Sequence, residues 1–320
     1  MSDLDFKTIA VSLAAGLVAG LALSQAAAGK PRAAAGKPRA TAGKPRAAVG
    51  KPEELEVGYW TIRGLGAPCR AMVLAAGVRL RATCHDVIPT PDGKYDRSDY
   101  VAKRVALREQ NPLANLPYVI DEHGTLIAQT NACFLYLGRR LDMLGDGSAA
   151  DVSKCEQLLC EAMDLRNSMT RNAYGKGDQA DACQQVLEGQ LSGGSMRKLE
   201  NWLKVKTTGS KLYFVGSKLS APDFHIWEQL DQYTHMADHH ELDSPLDGLP
   251  HLKAFYDNFS ALPQNQAYLN SPLHQLPFNQ KMAKFGGAKN RGAWDHGTMT
   301  SGSEHYDFAN ISGVFHPNKA

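Results

Sequence analysis

Tyr59 stands at the end of a short run, residues 55–60, that reads as a strand. A few positions on, residues 67–76 read as a helix opened by Pro68 in its first turn. A phenol at that place donates its O–H into a region where the positive end of the following helix also acts, so the pair favours a negatively charged atom. Gln129 and Thr130 form a second such place between a strand and a helix, where free amides and the helix dipole would hold a carboxylate. Simple N-capping by Thr130 would account for that hydroxyl equally well. His235, His239 and His240 invite a metal reading because the first two lie one helical turn apart. No third ligand class stands nearby, so they read as a solvated helix end and no metal is expected. Cys69, Cys84, Cys133, Cys155, Cys160 and Cys183 contain no CxxC pair and no zinc spacing. They read as small apolar residues in a reducing compartment.

The elements that must position these groups are legible in outline. Residues 55–60 and 81–87 read as strands around the helix at 67–76, and a long polar loop then leads to a helix near residues 100–109. Residues 116–120 and 125–128 read as two strands joined by Asp121-Glu122-His123-Gly124, which is hairpin chemistry, and a helix follows at 131–141. The order is βαβαββα, an α/β unit over residues 53–143. From Gly145 the apolar residues recur at helical spacing, as in Cys155, Leu158, Leu159, Met163 and Leu165, and the only strand expected is the short 212–215. Residues 144–284 are therefore expected to form an all-α domain. Within it, Ser220-Ala221-Pro222-Asp223 is a capping box that starts a core helix. Residues 285–320, without periodicity, read as an irregular tail.

Two segments precede the globular part. Residues 8–29 carry no charge and are long enough, at about 1.5 Å per residue in a helix, to cross a hydrocarbon core. Residues 25–28 are also small enough to resemble the end of a secretory signal peptide, so residues 1–28 read as a membrane anchor or a signal peptide. The acidic flank before the run and the basic flank after it favour an anchor with the remainder of the chain in the cytosol. Residues 29–52 repeat Gly-Lys-Pro-Arg every seven positions, which prevents a stable helix and reads as a basic, disordered linker. It serves as a spacer or as a patch attracted to anionic headgroups. Although the whole chain has a net charge of +2, seven basic side chains fall in this linker. The globular part is mildly acidic, and nucleic acid is not expected as a partner.

The stretch Gly58-Tyr59-Trp60-Thr61-Ile62-Arg63-Gly64-Leu65-Gly66-Ala67-Pro68-Cys69-Arg70 resembles the opening of glutathione transferases of the mu class. The likeness continues through Tyr95-Asp96-Arg97-Ser98, Asn115-Leu116-Pro117-Tyr118-Val119-Ile120-Asp121 and Gln129-Thr130-Asn131-Ala132, and weakens toward residue 284. It implies a thioredoxin-like N-terminal domain followed by an all-helical domain, associating as a homodimer. It also implies an enzyme that joins the thiol of glutathione to electrophilic small molecules, with glutathione as co-substrate and no cofactor; the alternative is a non-catalytic binding or scaffold subunit of the same fold at a membrane. Tyr59 would then hold the sulfur as thiolate. Leu116 and a cis Pro117, with Asn115 beside them, would grip the cysteinyl part like an added strand. Gln129 and Thr130 would take the γ-glutamyl carboxylate, and Asp164 of a neighbouring subunit the glutamyl ammonium. Trp60, Tyr100 and either Lys103 or Arg104 align with contacts to the glycine end, where the family has Trp in place of Tyr100. Tyr174 aligns with a phenol on the electrophile side that assists the transition state.

Overall fold

The computed structural model describes residues 50–287 and 311–317. The hydrophobic segment and nearly all of the basic linker lie outside the described residues. The described residues all belong to one compact unit.

The α/β half opens with β1 (Glu54–Trp60), α1 (Gly66–Ala75) and β2 (Arg79–His85). The strands β1 and β2 are parallel, with Tyr59 opposite Cys84. A minimal antiparallel pair, β3 (Ile88–Pro89) and β4 (Tyr95–Asp96), forms inside the stretch that reads as a polar loop, and α2 (Ser98–Gln110) follows. The hairpin β5 (Tyr118–Ile120) and β6 (Leu126–Ala128) turns at Gly124, whose φ of 78° needs glycine, and Asp121 accepts the His123 and Thr125 amides at 2.9 and 2.8 Å. Strand β5 runs antiparallel to β1, and α3 (Thr130–Arg140) closes the unit. This is the thioredoxin-like order expected from the sequence.

The helical half comprises α4 (Ala149–Gly175), α5 (Ala180–Ser192), α6 (Ser195–Val205), α7 (Ala221–His239), α8 (Pro250–Ala261) and the short α9 (Gln266–Leu269). Helix α1 is buried along almost its whole length, sandwiched between β1 and β2 on one side and α7 and α9 on the other. Its pattern is therefore apolar nearly all round rather than amphipathic. Helix α7 is also central, and its start is fixed by the capping box: Asp223 accepts the Ser220 amide at 2.6 Å and the Phe214 amide at 2.8 Å. Among the described residues no helix is long and apolar enough to cross a membrane.

Three expectations need correction. Residues 212–215 form no strand: Phe214 is buried against Phe255 at 4.8 Å, so the apolar run is explained by helix packing. Within the stretch read as an irregular tail, residues 285–287 and 311–317 are described, and both pieces are tied to the fold. Phe285 is buried, its amide and that of Lys284 donate to Ala173 O, and β7 (Gly313–Phe315) pairs antiparallel with β2 in a sheet ordered β6-β5-β1-β2-β7. So short a strand shows no alternation in sequence, because the unpaired backbone of β2 supplies its order. Finally, Pro52, read as linker, is buried.

Inside the helical half, His225 on α7 is fully buried against Phe134 at 4.9 Å, and neither ring nitrogen has a partner among the described residues. Burial lowers its pKa to about 3. The unfolded chain takes up a proton near pH 6.5 while the fold refuses it until about pH 3, so this group removes stability as pH falls through that window. Relative to His225→Phe, the wild type is expected to lose about 1.4 kcal/mol per pH unit there. Urea unfolding of both proteins over that range checks it; parallel curves would show that the imidazole is already charged or hydrated in the fold.

Candidate functional site

The turn between β1 and α1 carries the site, and two buried arginines fix it. Arg70 on α1 donates to Ile62 O at 3.0 Å and to Trp60 O at 3.1 Å. Arg63 reaches across to α7, donating to Glu228 at 2.7 and 3.0 Å, with Asp231 at 2.6 Å. The Arg63 and Gly64 amides donate to Pro277 O and Phe278 O at 2.7 and 3.1 Å, so the turn is held between α7 and the segment after α9. Burial alone would lower the Arg63 pKa, but the two carboxylates outweigh it and keep the guanidinium charged. The same cation outweighs burial at Asp231 and holds it well below the usual carboxylate range. One cation neutralises one anion, and burial pushes the second carboxyl, Glu228, up to about 7.

Tyr59 projects from this turn, 5% exposed, packed with Ile62 and Leu65 and flanked by Trp60, Leu116 and Met163. Glycine is required beside it: a Cβ on Gly64 would lie 3.0 Å from the Tyr59 hydroxyl, and one on Gly66 would lie 2.6 Å from Tyr59 Cβ. Gly66→Ala is expected to displace the ring and destabilise the fold by about 1–3 kcal/mol, read from urea unfolding. An unchanged midpoint would mean that the ring yields freely. Burial raises the Tyr59 pKa, opposed by Arg166 and by the Leu65 amide bonded to the phenolic oxygen, so the phenol is neutral at pH 7 and able to donate.

Beside Tyr59 lies a cavity of about 140 Å³. Its lining comes from Tyr59 and Trp60, from Arg166, Thr170 and Tyr174 of α4, from Gln229 and Gln232 of α7, and from Asn279 and Gln280. The Tyr174 hydroxyl oxygen accepts the Gln280 amide at 2.9 Å, and burial raises its pKa too, so two neutral phenols face one space.

The other residues singled out from sequence fall in two groups. Leu116–Pro117 is cis, and sheet pairing starts only at Tyr118, so Leu116 lies beyond the ladder, and it packs against the cluster that holds Tyr59. Tyr100 is buried, edge-on to Trp60 at 5.0 Å, and donates to Asn115 Oδ1 at 3.3 Å. Arg104 lies over the Tyr100 ring at 5.7 Å, whereas Lys103 is exposed. Gln129 has a φ of 74° and donates to Leu113 O at 3.3 Å. Gln129, not Thr130, occupies the cap position of α3, and no side chain caps that helix. Thr130 is therefore not an N-cap. Asp164 is exposed on α4 and does not line the cavity.

Sequence reading passed over Arg63, Arg166 and Gln229 as parts of the site. The visible signal was Glu228 and Asp231, two acids three positions apart inside an otherwise core helix, which demand an internal cation.

Residues 163–272 match the family model "Glutathione S-transferase, C-terminal domain". The chain is 31% identical over 233 residues to human "Glutathione S-transferase Mu 3", covering 72% of this chain and 94% of that protein. It is 30% identical over 237 residues to "Glutathione S-transferase Mu 5" of Rattus norvegicus, covering 73% and 96%. In fold it is similar to the crystal structure of the glutathione S-transferase Blo t 8, with a TM-score of 0.58 at 20% identity, over 72% of this chain and 99% of that one. A buried tyrosine at a strand-to-helix turn, a cis-proline corner beside it, a helical second half and this likeness over nearly the full length of its relatives place the chain in the glutathione S-transferase family.

Proposed function

We propose that the chain is a mu-class-like glutathione transferase that conjugates the glutathione thiolate to electrophilic small molecules. The observation that carries this reading is the neutral, buried Tyr59 phenol lining a cavity, with Leu116 of the cis-proline corner packed against the Tyr59 cluster. A thiol titrates near 8.5, so only a few per cent is thiolate at neutral pH, and the thiolate is the nucleophile. A phenol donating to the sulfur favours the charged form, as does the Arg166 guanidinium in the same cavity. The backbone of Leu116 would pair with the cysteinyl unit as an extended strand, while Gln129 and Thr130 at the start of α3 hold the glutamyl carboxylate. At the glycine end the grip falls to Trp60 and Arg104, since the Tyr100 hydroxyl is engaged by Asn115. Tyr174 donates to negative charge that develops on the electrophile. Lys103 and Asp164 do not line this cavity, and Asp164 is assigned to a partner copy's glutathione in a homodimer.

The catalytic part works in the cytosol, with residues 1–28 as a membrane anchor or, in the alternative, a cleaved signal peptide. Release of the full-length protein from membranes by carbonate would overturn the anchor. For the reaction, glutathione-dependent conjugation of a chlorodinitrobenzene by the full chain is the deciding assay. Tight glutathione binding without turnover would make the protein a binding subunit instead.

A further inference from the structure

Gln229 is the one side chain lining the cavity whose whole amide is buried and unbonded among the described residues: it is 0% exposed, and neither Oε1 nor Nε2 has a partner. Its neighbours on α7 do not help, because Glu228 and Asp231 are both engaged by Arg63. A buried amide without partners is destabilising, and native proteins leave few of them. Sites that bind polar ligands are one place where they persist. The cavity around it is polar as well. Gln232, Asn279, Gln280 and the Thr170 hydroxyl share its lining, and Arg166 has no carboxylate within ion-pair distance among the described residues.

From this we infer that the acceptor side of the cavity selects electrophiles bearing a carboxamide, which Gln229 recognises. This deepens, and rests on, the conjugation reading. A side-chain amide presents a donor and an acceptor side by side. Only a group offering the reverse pair satisfies both at once, and a carboxamide does so through its own C=O and N–H. A ketone or ester can only accept, leaving Oε1 unpaired. A carboxylate would set oxygen against oxygen. Arg166 adds a positive field suited to an electron-poor ring on which negative charge grows during attack.

The test uses a chloronitrobenzamide with the carboxamide across the ring from chlorine, and the matching methyl ketone, which has nearly the same shape and activation. In both, the glutathione sulfur forms a bond to the ring carbon, the carbon–chlorine bond breaks, chloride leaves with the electron pair and the thiol proton goes to solvent. With each kcat/KM divided by the uncatalysed rate with glutathione, the wild type should favour the amide about tenfold, the worth of one net hydrogen bond. Gln229→Met, which keeps the volume, should bring that ratio to about one. It should also leave the urea midpoint equal or higher, because an unpaired amide has been removed. A wild-type ratio near one, a ratio that survives in Gln229→Met, or a fall in that variant's midpoint overturns the inference, since each means that the amide is satisfied structurally. Failure of the wild type to turn over chlorodinitrobenzene sinks the conjugation reading instead. Gln229 is then judged by calorimetry on the two preformed aryl thioethers of glutathione: about tenfold tighter binding of the amide upholds recognition, and equal binding ends it.

Discussion

Tyr59→Phe is expected to lower kcat/KM for chlorodinitrobenzene at pH 7 by about a hundredfold and to raise the pKa of bound glutathione by about two, the equivalent of roughly 2.7 kcal/mol. The two effects share one origin, because removing the hydroxyl deletes the donor that favours thiolate and leaves the ring, with its packing on Ile62, Leu65 and Leu116, in place. Two readouts separate this from mere disturbance. The acid limb of the pH–rate profile should move upward with the thiol, and the loss in unfolding free energy should not exceed about 1–3 kcal/mol, the cost of leaving the Leu65 amide without its acceptor. The ultraviolet absorbance of the thiolate, titrated in the glutathione complex, measures the shift directly. A thiol that titrates identically in both proteins would mean that Arg166 and the start of α1 do the activating, and Tyr59 would lose its role.

The largest expected effect on stability is at Arg63. Arg63→Met removes the cation from between Glu228 and Asp231, all three buried, and leaves two acids without compensation. The expected loss is about 3–5 kcal/mol. Glu228→Gln should be much milder, about 1 kcal/mol or less, because burial already brings that carboxyl close to neutrality at pH 7 and the amide oxygen still accepts from Arg63. Urea unfolding at pH 7 compares the two. Equal losses would show that Glu228 is a full partner anion rather than a hydrogen-bond acceptor. Since Arg63 also ties the Tyr59 turn to α7, the variant that folds least well should be the one whose glutathione binding weakens most.

What could be read from sequence was local. The turn after β1, the hairpin at Gly124 and the capping box at Ser220 and Asp223 each depend on residues within a few positions of one another, and the structure has all three. The neighbourhood of Tyr59 was legible for the same reason, since Tyr59 and Trp60 adjoin and Leu116 adjoins Pro117. The rest of the cavity was not. It is assembled from α4, α7 and the segment after α9, and nothing in a glutamine at 229 or an arginine at 166 announces that they share one cavity with Tyr59. Arg63 with Glu228, and β2 with β7, are likewise pairings between distant parts of the chain. Periodicity also misjudged residues 212–215, where an apolar run meets helices and finds no strand to pair with.

The pairing of β7 with β2 also bears on how the molecule is made. Leu80 lies opposite Phe315, so a strand formed early in synthesis waits for one that leaves the ribosome much later. Until then β2 shows a row of unpaired N–H and C=O groups on one side, the kind of template on which chains add to each other. The nascent protein thus has a vulnerable interval that its finished form does not, ended when residues 313–315 zip onto the sheet and the Ser312 hydroxyl takes up the Cys84 amide at 2.9 Å.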